Sequence, residues 1–131
     1  MRVDGLSSPL DVVVYTGEFL VDAASRMRFN DVGCVPVLDG AELVGILTER
    51  DLARAIADGI DPRNVEVGDY MTPDPTVVTP DTDIAEAARI MVRQGIRHLP
   101  VMEDGRLMGV MSMRDIVLEL AWDGDVLEET A

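Results

Sequence analysis

Apolar residues along this chain fall into short runs and spaced faces, and the same arrangement occurs twice. Val12–Tyr15 and Thr76–Thr79 are β-branched runs that predict strands. After the second run, Ile84, Ala87, Ala88 and Met91 share one helical face, with Asp83 and Glu86 at capping-box spacing. The first copy has Phe19 in the place of Asp83, so its helix start is less clearly signalled. Two further apolar runs follow in each copy, Val35–Leu38 with Leu43–Leu47 and Leu99–Met102 with Leu107–Met111. Their connections, DGAE and EDGR, carry an Asp-Gly hairpin signal. A last helix is expected from Thr48 in one copy and Ser112 in the other, the former stopping at Gly59.

Sliding the chain by 64 positions superposes the copies without a gap: Val13-Val14 on Val77-Val78, Met27 on Met91, Pro36-Val37 on Pro100-Val101, and Gly45, Arg50 and Asp51 on Gly109, Arg114 and Asp115. Each copy reads β-α-β-β-α. The expected layout is a first repeat over 7–60, a linker over 61–72 with a helical turn near Val65–Met71, a second repeat over 73–122 and a frayed acidic tail over 123–131. About sixty residues is marginal for an independent core, so an α/β (α+β) fold is expected, its two repeats packed about a pseudo-two-fold axis.

Composition narrows the function. Aromatics are 4% of the 131 residues, so the core is aliphatic, and the net charge of −14 opposes nucleic-acid phosphates. No apolar run approaches the roughly 18 residues of a membrane span, and the N-terminus lacks a signal peptide's apolar region. A single cysteine, Cys34, fits a reducing cytoplasm. A cytoplasmic protein with no nucleic-acid or membrane partner is expected.

Two groups of residues could carry chemistry. Thr48-x-x-Asp51 and Ser112-x-x-Asp115 have the spacing of helix caps. The same helix start offers amides to an anion, and an acid one turn in can take the hydroxyls of a ribose. Gly45 and Gly109 would let a ligand approach the backbone. Arg97-His98, at a strand entry, could clamp phosphate oxygens, whereas the first copy has Gly33 and Cys34 there. Catalytic and metal signatures are absent: one Cys and one His give no metal cluster, and Ser112 or Cys34 could meet His98 only by coincidence of folding.

The runs CVPVLDGAELVGILTERDL and RHLPVMEDGRLMGVMSMRDI, in register, resemble a tandem pair of cystathionine-β-synthase (CBS) domains, a Bateman module, over about residues 7–122. The resemblance implies a stand-alone, non-catalytic regulatory module. It would bind adenosine-containing ligands (AMP, ADP, ATP or S-adenosylmethionine) in clefts between the repeats, with no obligatory cofactor. It also implies a homodimer signalling to a partner protein in trans. Carried over by position, Asp51 and Asp115 would hold ribose, and Thr48 and Ser112 would contact phosphate or the ribose edge. Arg97 and His98 would be phosphate ligands, with Arg114 counted among the binding residues. Val14, Val35, Thr76, Val78 and Leu99 would line the adenine slot through backbone and apolar contact. The first copy departs from the family pattern, with Ser7-Ser8 where the second has Met71-Thr72. A ligand-independent structural or interaction homodimer with vestigial clefts is the alternative.

Overall fold

The computed structural model describes Arg2 and residues 12–122. The expected acidic tail and the first residues of the first repeat lie outside the described residues. The described chain divides between Pro75 and Thr76 into two compact units, Arg2 belonging with the later one.

The first unit runs β1 (Val14–Tyr15), α1 (Leu20–Asn30), β2 (Cys34–Asp39), β3 (Glu42–Thr48), α2 (Glu49–Ala57), α3 (Val67–Tyr70) and β4 (Thr72–Pro73). Its sheet has the order β1-β2-β3-β4, with β1 parallel to β2 and the other pairs antiparallel. The second unit holds α4 (Ile84–Gln94), β5 (His98–Glu103), β6 (Arg106–Ser112) and α5 (Met113–Trp122), with β5 and β6 antiparallel. The strand expected at Thr76–Thr79 is a single parallel bridge, Val78 to Val101. The β-α-β-β-α repeat is therefore present in both units.

Each core is filled by the same positions. Val14, Leu20, Ala23, Met27, Val35, Val37 and Leu47 are buried in one unit, and Val78, Ile84, Ala87, Met91, Leu99, Val101 and Met111 in the other. In each unit these residues bring the first helix onto one face of the strands, at the i, i+3, i+7 spacing of an apolar helical stripe.

Local chemistry explains where the copies differ. Prolines 36 and 100 sit within β2 and β5, facing the first strand with no N–H to give. Around the second bridge, Val78 N–H donates to the Pro100 carbonyl at 3.0 Å and Met102 N–H to the Val78 carbonyl at 2.8 Å. The next bond of a parallel ladder would run from residue 100 to the Thr76 carbonyl, and proline forbids it. At the other end, Thr16 N–H donates to the Leu38 carbonyl at 3.1 Å, a bond its counterpart Pro80 cannot make. Hence the second copy keeps one bridge where the first keeps two paired residues.

The hairpins keep one register with different turns. Gly40 takes φ +61° in the first, while Asp104 and Gly105 take φ +52° and +77° in the second, a pair suited to a type I′ turn. Val44 and Met108 are the extra residues of matching bulges, since Val37 pairs with Gly45 and Leu38 with Leu43, as Val101 does with Gly109 and Met102 with Leu107.

Two expectations need correction, and the linker gains a detail. Asp83 does cap α4, accepting from Ala85 N–H at 2.9 Å, but Glu86 does not close a box; its carboxylate takes the Arg89 guanidinium at 2.9 and 3.1 Å. In the linker, the helical turn expected near Val65–Met71 is α3, and Thr72–Pro73 beyond it pairs along β3. The space beside Gly45 serves the chain itself: a Cβ there would lie 2.6 Å from Met71 Sδ and 2.8 Å from the Thr72 carbonyl oxygen.

Candidate adenosine-ligand site

In both units the site residues gather where the hairpin ends and the last helix begins. Antiparallel pairing sets Cys34 opposite Thr48 and His98 opposite Ser112. The strand entry then meets the helix start through the backbone, with Glu49 N–H donating to the Gly33 carbonyl at 3.1 Å and Met113 N–H to the Arg97 carbonyl at 2.8 Å. Arg97, His98, Ser112, Arg114 and Asp115 therefore converge at the N-terminal end of α5. The Met113 and Asp115 amides are already engaged there, so the helix's positive end, the Arg114 amide and the arginines are what favour an anion. Thr76, two residues before the Val78–Val101 bridge, falls at the level of Leu99 by register, and its hydroxyl donates to Gln94 Oε1 at 2.8 Å.

Both capping boxes form. Thr48 N–H donates to Asp51 Oδ2 at 2.9 Å and Asp51 N–H to Thr48 Oγ1 at 3.3 Å; the Ser112–Asp115 pair does the same at 2.9 and 3.1 Å. The remaining bonds differ. Thr48's hydroxyl also donates to Asp51 Oδ2 at 3.1 Å, and Arg54 holds Asp51 Oδ1 at 2.5 Å. Asp51 is 2% exposed, whereas Asp115 is half-buried and its Oδ1 has no partner among the described residues. Leu118 stands where Arg54 does in the first copy. The Asp51-x-x-Arg54 spacing was the available signal for this pair, because residues three apart on a helix face one another.

Val14, Val35 and Leu99 are fully enclosed and Val78 is 5% exposed, all four within the cores of their own units. What they can offer a ligand is main chain. The Thr76 carbonyl, denied a sheet donor by Pro100, is such an acceptor.

Cys34 is buried, and burial, helped by the negative charge of Asp51, pushes its thiol up from 9.0 to about 12. The folded state thus holds a proton that the unfolded state releases above about pH 9. The associated stability is present in full below that pH and is lost as pH rises toward 12. Urea unfolding at pH 8 and pH 10.5 should show wild type losing more stability than Cys34→Ala over that interval; equal losses would contradict the burial of the thiol. Among the described residues no three His, Cys, Asp or Glu side chains gather to hold a metal, and no helix is long and apolar enough to cross a membrane.

A duplicated β-α-β-β-α unit with a capped helix start beside its hairpin defines a class. The CBS domain family model matches residues 7–58 and 67–121, and the chain belongs to that family, whose domains are non-catalytic regulatory modules. An uncharacterized protein of Methanocaldococcus jannaschii is 42% identical over 103 residues, 78% of this chain and 36% of that protein. This chain therefore spans only about a third of that relative. A protein with CBS domains from Burkholderia ambifaria has a similar structure, with TM-score 0.88 and 29% identity over 94% of this chain and 96% of that one. A CBS domain protein from Pyrobaculum aerophilum, solved in complex with AMP, has TM-score 0.82 and 28% identity over 92% of this chain and 98% of that one.

Proposed function

We propose that this chain is a regulatory module that binds an adenosine-containing ligand, AMP, ADP, ATP or S-adenosylmethionine, and passes its occupancy to a partner protein. The observation that carries the reading is the Oδ1 of Asp115, without a partner among the described residues, at a helix start flanked by Arg97 and His98. In this reading Asp115 accepts the ribose hydroxyls, while Ser112, Arg97, His98 and Arg114 face the phosphate. The Thr76 carbonyl accepts from the adenine amine. The AMP complex of the Pyrobaculum relative supports the ligand class. Exposed Val117, Leu118 and Leu120 on α5 supply apolar surface for a homodimer or a partner. Bound ligand acts by favouring one shape of the module over another. A reducing cytoplasm is the proposed setting, in keeping with the single free cysteine.

Calorimetric titration with the four ligands tests this. At least one should bind saturably, and Asp115→Asn should weaken it by about tenfold or more, since a charged acceptor is lost. Absence of saturable binding to all four would refute the reading. It would favour a homodimer with vestigial sites, to which the engaged carboxylate of Asp51 already lends support in the first unit.

A further inference from the structure

We propose that Arg54 closes the first unit's site, so that each chain takes one adenosine ligand, at the second unit; this rests on the reading above. A ribose diol donates two hydrogens to a carboxylate, so the acid must have lone pairs turned to solvent. Asp51 has three of its roughly four acceptor positions taken and its carboxylate is 2% exposed, so it cannot receive both hydroxyls. Oδ2 accepts the Thr48 amide at 2.9 Å and the Thr48 hydroxyl at 3.1 Å, and Oδ1 holds the Arg54 guanidinium at 2.5 Å. With the carboxylate 2% exposed and Arg54 59% exposed, the guanidinium lies over the acid on its solvent side.

The hydroxyls follow the same division. Thr48 spends its hydrogen on Asp51, whereas Ser112 accepts from Asp115 N–H and its own hydrogen has no acceptor among the described residues. Ser112 can therefore donate to a ligand oxygen without breaking a bond, and Thr48 cannot. A ribose entering the first unit would have to displace a bond between two opposite charges with one in which only the acceptor is charged. Gly33 and Cys34 offer no cation in return. In the second unit Leu118 makes no claim on Asp115. A duplicated site has become one working site and one sealed by its own arginine.

Calorimetry on the full chain, with AMP and separately with S-adenosylmethionine, reads the stoichiometry directly. Wild type should bind one ligand per chain. Arg54→Leu, which copies the second unit's residue, should raise this to two with at least one of the ligands. Asp115→Asn should lower wild-type affinity by about tenfold or more. The Arg54→Leu/Asp115→Asn double variant should regain one site that a further Asp51→Asn removes. Circular dichroism checks folding, and Arg54→Gln serves if the leucine variant does not fold. Two sites in wild type, or one site with both ligands after Arg54 is replaced, overturns the inference and leaves adenosine binding in place. No heat from either ligand with any folded variant overturns both the inference and adenosine binding by these two ligands.

Discussion

Truncating Leu99 to alanine is expected to destabilise the second unit by about 3–4 kcal/mol, in the upper range for a fully buried leucine. Leu99 is 0% exposed and lies in one cluster with Ile84, Ala87, Met91, Val101, Met111 and Ile116. It stands on β5 one residue after His98, fixed on one side by its pairing with Met111 and enclosed by α4 and α5. A strand locked in a hairpin cannot move inward to fill the vacancy, so the lost transfer energy and the empty volume add. Urea denaturation followed by circular dichroism gives the value. A loss below about 1 kcal/mol would mean that the side chain lines an open slot instead of the core.

Replacing Gly45 with valine should cost about 3 kcal/mol, because the site is overpacked before the branched methyls are added. The first added carbon already falls 2.6 Å from Met71 Sδ and 2.8 Å from the Thr72 carbonyl oxygen. The methionine can swing away, but the carbonyl belongs to β4, whose pairing with Gly45 and Ile46 brings it there. Valine therefore has to push β4 off the sheet. Thermal unfolding, with exchange of the backbone amides near β4, should show both a lower midpoint and lost protection. An unchanged midpoint would show that β4 is not held against Gly45.

Much of this architecture was legible because it was written twice. A repeat that pairs Met27 with Met91 and Pro36 with Pro100 fixes the order of elements, and local cues place Thr48, Asp83 and Ser112 at helix starts. The features that escaped depend on what comes near in space. Thr72–Pro73 is too short and too proline-bound to signal a strand, and β4 exists because Gly45 leaves room for it. The shortness of the first strands was signalled by Pro36, Pro80 and Pro100, but only the parallel register shows which bonds those residues remove. Glu86 had the spacing of a capping box and was taken by Arg89 one turn further on. The candidate site was legible as residue types, with Ser112, Asp115, Arg97 and His98 meeting at one helix start. Its inequality was only half legible. The missing Arg-His pair in the first copy could be read directly, while the capture of Asp51 by Arg54 depended on a side-chain contact.

The clipped strands also bear on how this chain avoids its own kind. Both edges of the first unit's sheet, β1 and β4, are two residues long, and β4 ends in Pro73. A β-rich, aliphatic segment such as CVPVLD or ELVGILT would be a ready template for intermolecular strand addition if it lay at an open edge. Here both lie inside the sheet, and the edges present too few consecutive donors and acceptors for another chain to zip onto. In the first unit the residue that ends β4, Pro73, thus also closes an edge that another chain could otherwise extend.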